Sequence, residues 1–256
     1  MMGAIAGDII GSVYEGNPIK TTDFPLFSRH ATFTDDTVMT VAAAYAILND
    51  VDYATAFKTF GRQYPNAGYG GFFYNWLFAS DSRPYNSWGN GSTMRVSPIG
   101  FAFTTVDEVL RQAEKSAAVT HNHPEGIKGA QATALAVWLA HQGEDKAAIR
   151  REIHARFDYD LTRPVDDIRP NYRFDVSCQG SVPESIVAFL DSEDFEDAIR
   201  LAISLGGDSD TMACIAGGIA QAYYGEVPAT IVEGARQRLP AEFLQILDEF
   251  NATYRL

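Results

Sequence analysis

The chain has 256 residues, 46% hydrophobic and 21% charged, which is ample for a sizeable core and excludes intrinsic disorder. A formal net charge of −13 disfavours a general nucleic-acid binder or a ligand of anionic membranes, but leaves room for a small anion held at a metal. The two cysteines, Cys178 and Cys214, fall in no metal-spaced or redox motif and read as buried thiols, which points to a cytoplasmic home.

Taken in order, Met1 to Gly11 is apolar but short, is interrupted by Asp8 and lacks a basic start, so neither a signal peptide nor a membrane span is expected. Gly3 to Glu15 predicts a tightly packed helix of small residues, stopped by Asn17-Pro18 because the residue before proline avoids helical geometry. A polar loop runs to Phe33, and helices are expected over 36–48 and 52–62. Two glycine-rich segments, Tyr64–Gly71 and Pro84–Arg95, flank the aromatic run Phe72–Phe78. Thr105-Val106-Asp107-Glu108 is a capping box that opens a helix to about Val119. Pro124 suits the first turn of the next helix, which runs to about His141. An amphipathic helix follows over 145–157, then an irregular, proline- and aspartate-rich surface loop from Arg163 to Asp175. Ser181-Val182-Pro183-Glu184 reads as a second capping box. Helices over 195–205 and onward through Tyr224, and two begun by Pro228 and Pro240, complete the chain. Alternating β patterns are scarce, and neither a repeat nor a long linker divides the sequence. One all-α domain over 1–256 is expected.

Two stretches carry the chemistry. Gly206-Gly207-Asp208-Ser209-Asp210-Thr211 ends one helix at a glycine pair and opens another that is almost free of charge. Thr34-Asp35-Asp36-Thr37 opens a second uncharged helix in the same way. A lone cluster of this kind is ordinary helix capping. Two of them, each leading a core-like helix, point to one shared site whose four carboxylates suit two divalent, oxygen-seeking cations. A calcium loop starting at Asp208 fails, because its sixth position is Ala213 and its twelfth Ile219. An aspartyl-phosphate nucleophile should follow an apolar strand, whereas Asp208 follows two glycines.

The pattern closely resembles the ADP-ribosylglycohydrolase family. The resemblance is carried by Gly7-Asp8 with Gly11-Ser12-Val13-Tyr14-Glu15, by Thr34-Asp35-Asp36-Thr37, by Gly89-Asn90-Gly91 with Met94-Arg95, and by Gly206 to Thr211, in the family's order along nearly the whole chain. It implies an all-helical orthogonal bundle with two Mg2+ or Mn2+ ions in a central cleft, held by Thr34, Asp35, Asp36, Asp208, Asp210 and Thr211. It also implies that Glu15 lies on a lid formed by Asn17 to Phe33, where it reaches a metal or positions the attacking water. Gly70, Gly71, Ser87, Trp88, Gly89 and His121 would contact the ADP-ribose. Backbone N–H groups of such glycine-rich loops can approach a diphosphate without side-chain obstruction.

The expected function is hydrolysis of the N- or O-glycosidic bond between ADP-ribose and an acceptor on a protein or small molecule. Asp35, Asp208 and Glu15 are the candidate catalytic carboxylates. By the same resemblance, Tyr14-Glu15 leans toward the branch acting on serine-linked, O-acetyl or poly-ADP-ribose rather than arginine-linked substrates. A two-metal nucleotide phosphoesterase and a non-catalytic ADP-ribose binder are the competing readings.

Overall fold

A computed structural model describes all 256 residues. Its first half comprises α1 (Met2–Gly11), α2 (Asp35–Asn49), α3 (Tyr53–Gln63), α4 (Gly71–Phe78), α5 (Ser97–Ala102), α6 (Val106–Ala118) and α7 (Pro124–His141). The second half comprises α8 (Lys146–Phe157), α9 (Val165–Ile168), α10 (Cys178–Asp191), α11 (Phe195–Ser204), α12 (Ser209–Tyr224), α13 (Ala229–Arg236) and α14 (Ala241–Tyr254). The chain forms an all-α bundle whose only β-type pairing is the isolated bridge Gly89–Ser177. No helix is long and apolar enough to cross a membrane.

Most expected elements appear, with instructive shifts. α1 stops at Gly11 instead of continuing to Glu15: the side chains of Ser12, Val13 and Tyr14 are only partly buried and Glu15 is exposed, and the Ser12 hydroxyl donates back to the Ile9 carbonyl. The aromatic run Phe72–Phe78 is itself helix α4. α10 begins at Cys178, capped by Ser177, whose side chain accepts from Gly180 N; Ser181 is therefore not the cap, and Pro183 lies inside the helix. Pro228 and Pro240 stand at the N-cap positions of α13 and α14. The irregular Arg163–Asp175 region contains the single turn α9. Both cysteines are free and buried.

The contact that positions the site is the antiparallel crossing of α1 and α12. Gly3, Gly7 and Gly11 recur every fourth residue and so share one face of α1. Against them α12 presents Gly217, Ala213 and Ser209, and a methyl group at any of the three glycines would overlap that backbone. The close approach seats Gly11 directly on the Ser209–Asp210 backbone. It also buries Asp8 completely, one helical turn away from Gly11. α2 brings its acidic N-terminus to the same place, and the side chains around this junction join one continuous apolar core.

Candidate active site

Asp8 organises the junction. Its Oδ1 accepts the Thr34 hydroxyl at 2.6 Å, while its Oδ2 accepts Thr34 N at 3.0 Å, Thr37 N at 3.1 Å and the Thr37 hydroxyl. An aspartate from α1 thus fastens the first turn of α2 from beneath. Thr34 caps that helix by accepting Asp36 N, which leaves the Asp35 and Asp36 carboxylates free of capping duty. At the other cluster, Asp208 occupies the N-cap position of α12 but makes no side-chain cap bond. Instead its Oδ2 accepts Asn90 Nδ2 at 2.7 Å. Thr211 donates from its hydroxyl to Asp36 Oδ2 at 3.3 Å, linking the two clusters.

Carboxylate oxygens of Asp8, Asp36 and Asp210 lie within 4.8 Å of one another, and so do those of Glu15, Asp208 and Asp210. Asp210 belongs to both groups. Burial and the neighbouring carboxylates lift Asp35, Asp36 and Asp210 well above the usual carboxylate range. Burial likewise raises Asp8 and Asp208, against the hydrogen bonds they accept. Glu15 is exposed on the turn after α1, and is raised by partial burial and by Asp208 and Asp8. No Lys or Arg side chain offsets this charge: none lines the cleft. Asp36 Oδ1 is buried with no hydrogen-bond partner, on a residue that lines the cleft. The residues therefore fit hard divalent cations, with oxygen donors and more negative charge than the protein itself balances.

Above the cluster opens a cleft of about 320 Å³. Glu15, Asp35, Asp36, Asp208, Asp210 and Thr211 line its acidic end, and Gly70, Gly71, Ser87, Gly89 and His121 line its wall. Thr34 lies behind the lining, engaged with Asp8. Trp88 stands outside the cleft wall, half exposed and packed on His123 at 5.5 Å between ring centroids. Phe72, Phe73, Tyr85, Met94 and Val176 add the apolar surface that the sequence expectations omitted.

The segment between α1 and α2 has no regular structure and is pinned mainly through its backbone. Arg200 donates to the Thr22 and Phe24 carbonyls, each at 2.8 Å, and Arg238 to the Ala31 and Ser28 carbonyls. Lys20 donates to the carbonyls of Arg169 (2.9 Å), Tyr172 (2.8 Å) and Leu205. The glycine pair before Asp208 permits this. Gly206 adopts φ +64°, and a methyl group there would sit 2.7 Å from the Ile19 carbonyl oxygen. One turn accordingly does two jobs: it ends α11 and seats the Glu15-bearing segment beside Asp208.

The family model described as ADP-ribosylglycohydrolase matches residues 1–255. The chain belongs to the ADP-ribosylglycohydrolase family. ADP-ribosylhydrolase ARH3 of Gallus gallus is 27% identical over an alignment covering 100% of this chain and 90% of that protein. ARH3 of Homo sapiens is 29% identical, covering 88% and 84%. ADP-ribosylarginine hydrolase Tri1 of Pseudomonas putida (strain GB-1) is 27% identical, covering 88% and 69%. A solved structure described as an ADP-ribosylglycohydrolase-related protein complex superposes with a TM-score of 0.76 at 25% identity, covering 99% of this chain and 96% of the other. Family membership makes this chain a hydrolase of glycosyl bonds, acting on ADP-ribose conjugates.

Two residues of the site, Asn90 in the cleft lining and the buried Asp8 beneath it, hold roles that local sequence does not show. In sequence they belong to the Gly7-Asp8 and Gly89-Asn90-Gly91 motifs, with no role attached to either. Their partners, Thr34 with Thr37 and Asp208, are far away in sequence, so no local pattern reveals them.

Proposed function

We propose that residues 1–256 form one catalytic domain that uses two divalent cations, Mg2+ or Mn2+, to hydrolyse the bond between the ribose C1 of ADP-ribose and its acceptor. The observation that carries this reading is the pair of overlapping carboxylate groups sharing Asp210 at the acidic end of the cleft. Thr34, Asp35, Asp36, Asp208, Asp210 and Thr211 would hold the cations. The bound ions would polarise ribose hydroxyls and lower the pKa of a water.

The protein's own part is positional. Asp8 and Asn90 keep the two acidic turns in register. Gly70, Gly71, Ser87, Gly89 and His121 receive the ADP-ribose along the wall, with Trp88 at the rim. Glu15 enters from the loop side and orients the attacking water. Asp35, Asp208 and Glu15 are the carboxylates placed to take its proton as an oxocarbenium-like centre develops at C1. The Tyr14-Glu15 resemblance, with Glu15 within reach of Asp208 and Asp210, favours an O-linked acceptor, serine or O-acetyl, over arginine.

The test is turnover of serine-linked, O-acetyl and arginine-linked ADP-ribose with Mg2+, with Mn2+ and with chelator, with products identified by mass spectrometry. Metal-dependent release of intact ADP-ribose, fastest from an O-linked conjugate, is expected. Release of AMP or phosphate would instead identify a phosphoesterase. Binding without any turnover would identify a non-catalytic ADP-ribose binder.

A further inference from the structure

Behind the cleft wall lies a buried cation without a counter-ion. Arg95 is wholly buried, stacks on Phe57 at 4.4 Å from its ring centroid and pairs with no carboxylate. Such a group is costly to keep in a core. Its Nη2 donates to the Ser116 carbonyl at 2.7 Å and to the Thr120 hydroxyl oxygen at 3.0 Å, while Nε and Nη1 have no partner. Thr120 Oγ1 in turn stands 2.7 Å from His121 Nδ1, and His121 lines the cleft. The hydrogen-bonded path from Arg95 to the cleft therefore leads to His121.

The direction of that path favours one placement of the imidazole's proton. A guanidinium only donates, so Thr120 Oγ1 accepts from Arg95 and keeps its own proton free for Nδ1. The Tyr85 ring packs on His121 with ring centroids 5.8 Å apart. The fixed positive charge behind Thr120 turns the hydroxyl proton toward Nδ1 and disfavours a second proton there. Nε2 is then the protonated nitrogen. It faces the Gly89–Gly91 turn, where a methyl group at Gly91 would lie 3.2 Å from it and one at Gly89 3.7 Å. Those glycines keep its approach open. Burial and Arg95 also hold His121 well below the ordinary imidazole pKa, so the ring stays neutral.

We propose that Arg95 and Thr120 are positioning residues that lock His121 in its Nε2–H form, giving the cleft a neutral, one-proton donor for a ribose or diphosphate oxygen of the substrate. The substrate half of this proposal rests on the ADP-ribose reading above; the tautomer half stands on geometry alone. A neutral donor recognises such an oxygen without competing with the cations for the carboxylates. It is also unable to act as a proton acceptor at that nitrogen.

The experiment is long-range 1H–15N correlation NMR on histidine-labelled full-length protein, from about pH 6 to 8. His121 is assigned among the five histidines with a His121→Asn variant. The expected spectrum shows the Nε2–H pattern in wild type and in Thr120→Ser, and a mixed or Nδ1–H pattern in Thr120→Val. An Nδ1–H or imidazolium pattern at neutral pH in wild type would overturn the proposal. In parallel, Thr120→Val should raise KM for the ADP-ribosylated substrate about 5- to 20-fold with kcat within about 3-fold, and Thr120→Ser should restore KM. An unchanged KM in Thr120→Val would overturn the substrate role. Because the NMR result needs no substrate, failure of the lock and failure of the ADP-ribose reading are seen separately.

Discussion

Replacing Asp36 by asparagine should make the metal-free protein more stable and the enzyme nearly inert. Asp36 is 2% exposed, its Oδ1 has no partner, and it shares a cluster with Asp8 and Asp210 whose oxygens lie within 4.8 Å. At that separation and an effective dielectric of about 20, one like-charge pair repels by roughly 3–4 kcal/mol. Proton uptake relieves part of this, as the raised Asp36 pKa records. An amide of the same shape removes the charge and can donate to the remaining carboxylates, so a net gain of about 1–2 kcal/mol is expected. For a chain of this size that is an increase of about 2–8 °C in Tm. The assay is calorimetry of wild type and Asp36→Asn at neutral pH, in chelator and in Mg2+. Wild type should gain stability on adding Mg2+, since a ligand that binds only the folded state stabilises it. The variant should lose most of that gain, and turnover should fall at least about 100-fold. A lower Tm than wild type in chelator, or an undiminished Mg2+ shift, would refute the reasoning.

Other consequences follow from the same structure. Glu15→Gln should cut kcat at least about 100-fold while Tm stays within about 2 °C, because the side chain is exposed; steady-state kinetics and a thermal melt check both, and a change confined to KM would contradict it. Gly7→Ala gains about 1 kcal/mol of helix propensity but forces overlap with Ala213 backbone that no rotamer can relieve. A net drop in Tm of about 2–8 °C is expected by calorimetry, and a stabilised variant would disprove the close crossing. Glu184 is raised to about 7, chiefly by burial. The folded state therefore binds more protons than the unfolded state between about pH 4.5 and 7, and stability falls as pH rises through that window. With Mg2+ present, denaturant melts of Glu184→Gln should show a shallower decline across it than wild type.

Much of this was legible in the sequence because it was local. The helices announce themselves by uncharged runs, by Thr105 with Glu108, and by Pro124 and the positive-φ Gly206. The two aspartate clusters advertise a site because they repeat a pattern that capping alone needs only once. What stayed hidden depends on distant partners. Asp8 acquires a role only when α12 presses α1 against the start of α2. Ser177 displaces Ser181 as the cap of α10 because the chain pairs with Gly89 just before it. Arg95 reads as an ordinary basic residue until the core closes around it, and Lys20 until its three carbonyl partners converge. Trp88 shows the opposite limit: beside a glycine-rich turn it reads as a substrate contact, and it stands half exposed at the rim, packed on His123 and not among the cleft-lining residues.

The most direct measurement of the central claim is hydrolysis of serine-linked ADP-ribose in 18O-labelled water, with Mg2+ and with chelator, read by mass spectrometry. One 18O atom in the anomeric hydroxyl of intact ADP-ribose, only when the metal is present, is the expected result. Label appearing in AMP or phosphate, or equal release in chelator, would contradict a metal-dependent attack at the ribose C1.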